Sequence, residues 1–257
     1  MCRLVGYLGP PVTLEELLLE PENSLLHQSW APERQTHGTV NADGFGAGWY
    51  DLSSRPEPAR YRRAGPMWAD RSFASLAGLV RSGTVLAAVR SATPPAPAEE
   101  SGTPPFTSGG WLFAHNGAVD GFRDSPGATL RRALSDNRLA GIEGAADSEV
   151  LFALTLERLD AGAAPEEALA SVVVQVTSVT TGRLTMLLTD GRRLAAVVCG
   201  EALYRIGRDD DGTDDDGTDG LVVASEPSDA RSGWRHLPEG TLLSAWDGGA
   251  RVRESTF

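Results

Sequence analysis

Cysteine is scarce in this chain of 257 residues, which holds only Cys2 and Cys199. Such a pair makes no disulfide framework, so the fold is expected to rest on its apolar core. Long apolar runs are missing too. No stretch reaches the roughly 18 residues that a spanning helix needs, and none is expected. Positive charge is in deficit, with a formal net charge of −12. That balance argues against nucleic acid or an anionic membrane as partner. No basic and apolar leader precedes Cys2, which argues against lipidation there. A soluble, cytoplasmic chain is expected. Hydrophobic residues make up a modest 41%. A chain of this size still buries roughly 70–75% of its surface, so one large domain over residues 1–257 is affordable.

What is present starts at the N-terminus. In Met1-Cys2-Arg3-Leu4-Val5-Gly6-Tyr7-Leu8-Gly9, Leu4, Gly6 and Leu8 alternate with Val5, Tyr7 and Gly9. The period of two predicts a strand, with Cys2 at its end. Trimming Met1 leaves a thiol and a free α-amine on one residue. The amine is a base with a pKa near ~8, beside a thiol near ~8.5. Such a nucleophile carries its own base. Chance placement of a cysteine at position 2 is the plain alternative.

Thr13 with Glu16 is a capping box before a short helix that Pro21 stops. Residues 35–44 read as loop, and Phe45–Tyr50 as a glycine-rich strand that something approaches closely. Asp70 caps an amphipathic helix with Phe73, Leu76, Leu79 and Val80 on one face. Strands follow at Thr84–Arg90 and Trp111–His115, the second closed by Asn116-Gly117, with loop from Ser91 to Ser108 between them. Helices are predicted over 129–134, 149–159 and 165–179. A hairpin spans 184–188 and 194–199, and short strands lie near 203–206, 221–224 and 242–245. Many short strands with helices clustered between them predict an α+β fold of mainly antiparallel sheets. The acidic run from Asp209 to Asp219 is not a calcium loop, because the terminal Glu position holds Thr218. It reads as a solvated, disordered tip within 208–219.

Four places beyond Cys2 carry groups with chemistry. Arg90 ends a buried strand, where a guanidinium grips a carboxylate or merely pairs with a surface acid. Asn116-Gly117 is either a hairpin turn or a pair of N–H donors for an oxyanion. His115 reads as a packed strand-end residue. Asp147-Ser148-Glu149 opens a helix, as caps or with a carboxylate for a substrate ammonium. Asp43 precedes the glycine-rich strand.

Taken together, these elements resemble the class II glutamine amidotransferase domain of the N-terminal nucleophile hydrolases. The matching segments are Cys2 with Gly6, Asp43–Tyr50, Arg90–Thr93, His115-Asn116-Gly117, Asp147–Glu149 and Ala224-Ser225-Glu226-Pro227. The resemblance implies a four-layer αββα sandwich without metal or cofactor. It implies that Cys2 is the nucleophile and its amine the base, with Asn116 and Gly117 as oxyanion donors. Arg90 would bind a glutamyl α-carboxylate and Asp147 the α-ammonium, with Thr93 adding a hydrogen bond. The chain departs from the pattern after Arg90: Ser91 stands where an aromatic residue is common, and Thr93-Pro94 where a histidine is.

Among stand-alone members, the chain is similar to the amidohydrolases of ergothioneine biosynthesis in Ser24–Trp30, in Asp43–Tyr50 and in length. That similarity implies γ-glutamyl-hercynylcysteine S-oxide as substrate and glutamate as product. The leaving group carries a trimethylammonium, which suits aromatic faces or a carboxylate. Trp30, Asp43, Phe45 and Trp68 are the residues considered for it. A glutaminase subunit feeding ammonia to a separate synthase is the alternative, and a non-catalytic glutamine sensor a further one. Oligomeric state is not set by these signals.

Overall fold

The computed structural model describes residues 2–92, 99–207 and 220–257. The expectations for Thr93 and for the tip at 208–219 lie outside these described residues. The chain begins with β1 (Cys2–Thr13), α1 (Leu14–Leu18) and α2 (Leu25–Gln28). Next come β2 (Phe45–Trp49), β3 (Ala59–Arg63), α3 (Arg71–Ala77) and β4 (Arg81–Arg90). The middle forms β5 (Phe106–Ser108), β6 (Trp111–Val119), α4 (Ser125–Arg132), α5 (Asp136–Ala140), α6 (Asp147–Asp160) and α7 (Pro165–Thr177). Then follow β7 (Gly182–Thr189), β8 (Leu194–Val197), β9 (Leu203–Ile206), β10 (Leu221–Ala224), β11 (Arg235–Leu237), β12 (Thr241–Trp246) and β13 (Arg251–Thr256).

Two antiparallel sheets hold these strands. One runs β11-β9-β10-β1-β4-β2-β3 and the other β13-β12-β8-β7-β6-β5. The alternation read in β1 decides the layering. Leu4 and Leu8 pack between the sheets with Leu187, Leu194 and Leu243. Val5 and Tyr7 face the opposite way and pack with Leu14, Leu18, Leu25 and Phe73 from α1, α2 and α3. The second sheet turns Phe113, Leu184, Met186 and Leu188 toward α6 and α7. Three apolar layers separate four layers of structure, which is the αββα sandwich. Each fully buried Leu or Val contributes roughly 1.5–3 kcal/mol, so these layers dominate the favourable terms.

Local signals explain several boundaries. Thr13 Oγ1 accepts from the Glu16 N–H at 3.0 Å, and Glu16 Oε2 accepts from the Thr13 N–H at 2.7 Å. This is the capping box read from the sequence. Asp70 Oδ1 caps α3 by accepting from the Phe73 N–H at 2.9 Å. The glycines of β2 serve close approach: a Cβ on Gly48 would lie 2.6 Å from Leu112 Cδ1 of the other sheet.

Some expectations are corrected. Leu79 is not on the buried face of α3; the helix ends at Ala77 and Leu79 is 82% exposed. The segment from Ser91 to Ser108 is not all loop, because β5 forms an edge strand on β6. Strand β8 stops at Val197, which leaves Cys199 outside it. Asn116-Gly117 does not close a strand. It lies inside β6, which pairs on through Val119 opposite Gly182. No helix among the described residues is long and apolar enough to cross a membrane.

Candidate active site

Cys2 begins the strand at the centre of the first sheet, paired directly opposite Arg90 of β4. Two side chains fix its backbone. The Cys2 N–H donates to Asn116 Oδ1 at 3.0 Å, and Arg3 Nε donates to the Cys2 carbonyl at 2.8 Å. Arg3 is itself buried and ion-paired with Glu226 at 3.1 Å. Glu226 Oε2 also accepts from the Glu33 N–H at 2.8 Å. One residue earlier, Ser225 brackets Leu4: its Oγ accepts from the Leu4 N–H, and its own N–H donates to the Leu4 carbonyl, both at 3.0 Å. The Ser225-Glu226 motif therefore anchors the strand that carries the thiol. Burying an ion pair costs more than an apolar pair of similar volume. Arg3 and Glu226 are thus understood by what they position.

Burial pushes the Cys2 thiol up from its ordinary range. The guanidiniums of Arg90 and Arg3 and a hydrogen bond from the Ser91 backbone act the other way. Burial outweighs them, so the shift is upward.

Asn116 is fully buried. Its amide is oriented by the bond to Cys2, and its Nδ2 has no hydrogen-bond partner. A buried amide N–H₂ left unpaired is costly unless a ligand completes it. Gly117 has φ +146°, and a Cβ there would sit 1.9 Å from the Arg183 carbonyl oxygen. Only glycine fits at that bend inside the strand.

His115 lies within β6 rather than at its end, and is 2% exposed. Its Nε2 is 2.9 Å from the Arg183 carbonyl, so it carries the proton there. Nδ1 then accepts from Ser148 Oγ at 3.0 Å. The histidine ties β6 to the first turn of α6. Asp147 is the first residue of α6, and the N-cap is Ala146. Its Oδ2 accepts from the Val119 N–H at 2.9 Å, and its Oδ1 from the Ser148 N–H at 2.8 Å. Glu149 organises the segment ahead of the helix, with Oε2 accepting from the Glu143 and Gly144 N–H groups at 2.9 and 2.8 Å.

One cavity of about 440 Å³ is lined by Cys2, Arg90, Gly117, Asp147 and Arg183, among others. It brings together the Cys2 thiol with three arginines and three aspartates from elements far apart in sequence, Arg123, Asp120 and Asp124 also standing in its wall. Gly102 floors the Arg90 side chain, for a Cβ there would lie 3.1 Å from Arg90 Nη2. Asp43 stands behind this wall. Its N–H donates to the Arg90 carbonyl at 2.9 Å, and its Oδ2 accepts from the Ala92 N–H at 2.8 Å. Trp30 is 42% exposed and meets His27 and Trp68 edge-on, away from the cavity lining. Phe45 is a core residue packed on Phe73 and Tyr61. No group of three or more metal-ligating side chains occurs among the described residues.

Sequence reasoning missed Arg3, Glu201 and Arg183, and gave Glu226 a place in a matching segment but no role. A charged residue in the apolar alternation of β1 was a usable signal for Arg3, since a buried guanidinium demands an acid. Nothing local marked Arg183.

Comparison with known proteins places the chain in a family. A model of the family described as glutamine amidotransferases class-II matches residues 21–214. The gamma-glutamyl-hercynylcysteine sulfoxide hydrolase of Mycobacterium tuberculosis is 40% identical over 253 residues, covering 98% of this chain and 96% of that one. A glutamine aminotransferase class-II domain protein from Silicibacter pomeroyi superposes with a TM-score of 0.68 at 28% identity, over 100% of this chain and 99% of that one. The glutamine phosphoribosylpyrophosphate amidotransferase of B. subtilis shares the fold, with a TM-score of 0.64 at 17% identity over 99% of this chain and 49% of that one. The chain belongs to the class II glutamine amidotransferases, with the fold of the N-terminal nucleophile hydrolases.

Proposed function

We propose that this protein hydrolyses a γ-glutamyl amide through Cys2 and releases glutamate, with γ-glutamyl-hercynylcysteine S-oxide as its substrate. The observation that carries the chemistry is the meeting of the Cys2 nitrogen and the Asn116 amide at 3.0 Å, with Cys2, Gly117, Arg90 and Asp147 lining one cavity. The substrate half follows from the M. tuberculosis relative, similar over nearly the whole chain.

The free α-amine of Cys2 takes the thiol proton, and Sγ bonds to the γ-carbonyl carbon. The carbonyl π electrons move to oxygen, and Asn116 Nδ2 and the Gly117 N–H stabilise that oxyanion. Collapse breaks the C–N bond, and the leaving nitrogen takes the proton from the ammonium. A γ-glutamyl thioester remains. Water adds to it, gives its proton to the amine, and collapse returns the thiol and glutamate. Arg90 grips the α-carboxylate through parallel donors and Asp147 faces the α-ammonium, so substrate enters in one orientation. Asp43 acts one step back, by holding the Arg90–Ala92 backbone.

The direct test is a product assay on purified protein. Glutamate release from γ-glutamyl-hercynylcysteine S-oxide should exceed that from free glutamine at least tenfold in kcat/KM, that is by about 1.4 kcal/mol. Turnover of glutamine alone would favour an ammonia-supplying subunit instead.

Asp147 yields a second expected outcome. Asp147→Asn removes a charge facing the ammonium, and a charge-assisted hydrogen bond is worth on the order of 1.5–3 kcal/mol. Preference for a substrate with an α-amino group over its deamino analogue should fall roughly ten- to a hundredfold. Both Asp147 oxygens also accept backbone N–H groups. The asparagine must turn its N–H₂ toward one of them, so a lower melting temperature should accompany the loss. A variant that melts lower yet discriminates as well as wild type would make Asp147 a purely structural clamp.

A further inference from the structure

Several charged residues in the wall of the cavity have no task in the reaction above, and Arg183 is one of them. Arg183 lies near the start of β7, opposite Ala118 of β6, while Asn116 pairs with the next-but-one residue, Thr185. Leu184 and Met186 face the helices and Leu187 faces the other sheet. By the alternation of the strand, Arg183 and Thr185 share the face of Leu187, the side on which Asn116 meets Cys2. Diagonal neighbours on one sheet face stand about 7–8 Å apart, well within the reach of an arginine side chain.

The Arg183 side chain meets an acid at one edge, as an ion pair without hydrogen-bond geometry. Its Nε lies 2.9 Å from Glu201 Oε1, and the Glu201 side chain is 5% exposed. Glu201 divides its charge, because Arg3 Nη2 approaches its other oxygen at 3.9 Å. Beyond Glu201, the guanidinium of Arg183 has no acidic or carbonyl partner among the described residues, and its side chain is 31% exposed. Glycine at position 200 is part of the arrangement: a Cβ there would come within 2.8 Å of Arg183 Cγ. A guanidinium paired with an acid on its Nε side and open at its two Nη groups presents parallel donors to a planar anion.

We propose that Arg183 binds an α-carboxylate on the leaving amine, so that γ-glutamyl amino acids are the substrate class, in preference to glutamine or simple γ-glutamyl amines. This rests on the γ-glutamyl hydrolase reading and adds a residue that determines specificity. In a γ-glutamyl amino acid, the leaving carboxylate sits on the carbon next to the scissile nitrogen. Arg90 holds the glutamyl carboxylate on one side of the scissile bond, and Arg183 the leaving carboxylate on the other. Glutamine, which leaves as ammonia, offers Arg183 nothing.

The test compares γ-glutamyl-alanine with γ-glutamyl-alaninamide, which differ in charge and hardly in size. Glutamate release is measured for wild type, Arg183→Gln and Arg183→Lys. Wild type should prefer the acid by roughly ten- to a hundredfold in kcat/KM, the range for a charge-assisted contact. Arg183→Gln should bring the ratio near one, and Arg183→Lys should keep part of it through its charge. An unchanged ratio in Arg183→Gln overturns the proposal. So does a wild-type ratio near one, a measurement that requires no variant to fold. Wild-type protein that cleaves neither compound, nor any other γ-glutamyl amide, overturns the hydrolase reading itself and this proposal with it.

Discussion

Cys2→Ala should abolish glutamate release from every γ-glutamyl substrate, by on the order of 10⁴–10⁶ in kcat, the loss seen when a covalent nucleophile is removed. The expectation is large because Cys2 supplies two functions at one residue. In the proposed mechanism its Sγ forms the thioester and its nitrogen moves the proton. Alanine keeps the amine and the strand, so the melting temperature should hold while activity goes. The amine is tested separately. A Cys2 nitrogen acylated by a retained Met1 is an amide and not a base, so active protein should begin at Cys2. Intact-mass measurement of active enzyme should show the methionine gone, and a form that keeps it should be as inactive as Cys2→Ala. Full activity with Met1 in place would remove the amine from the mechanism and leave the thiol without its base. Rapid quenching of wild type with a slow substrate should trap a glutamyl adduct on the N-terminal peptide; Cys2→Ala should show none.

The second large effect falls on Asn116. Removing one oxyanion donor typically lowers kcat ~10²–10³-fold, and Asn116→Ala should lie in or above that range. Beside the proposed oxyanion role of the unpartnered Nδ2, Oδ1 accepts from the Cys2 nitrogen. Alanine removes both, so a second substitution separates them. Asn116→Asp keeps an oxygen for the Cys2 nitrogen and replaces the donor by an acceptor. If Asn116 only anchors Cys2, Asn116→Asp should retain most activity. If Nδ2 stabilises the oxyanion, Asn116→Asp should fall as far as Asn116→Ala or further, because a carboxylate repels the developing charge. Comparable kcat in all three proteins would leave Asn116 as a strand residue without a catalytic part.

Much of this protein was legible before any coordinates. The alternation in β1, the capping box at Thr13, strand β4, helices α6 and α7 and the β7–β8 hairpin all follow from local rules. In each, the residues that decide the element are neighbours in the chain. The order Cys2, Arg90, Asn116-Gly117, Asp147 was equally readable, as a set of residue types whose chemistry fits one amino-acid head. What local rules could not decide was where contacts come from afar. Asn-Gly reads as a turn from its own propensity, yet β7 pairs along it and Gly117 absorbs the bend inside the strand. The edge strand β5 has too few residues to show a period. Trp30 was an attractive aromatic face for a cation, but α2 places it on the surface against Trp68. Arg3 has its partners 223 residues away at Glu226 and beyond the β7–β8 hairpin at Glu201. Glu201 in turn selects the edge of Arg183 that stays open to the cavity. Residue types follow from the sequence alone, but which charge is cancelled and which is left to meet a substrate depends on distances between strands, and those exist only after the two sheets have packed.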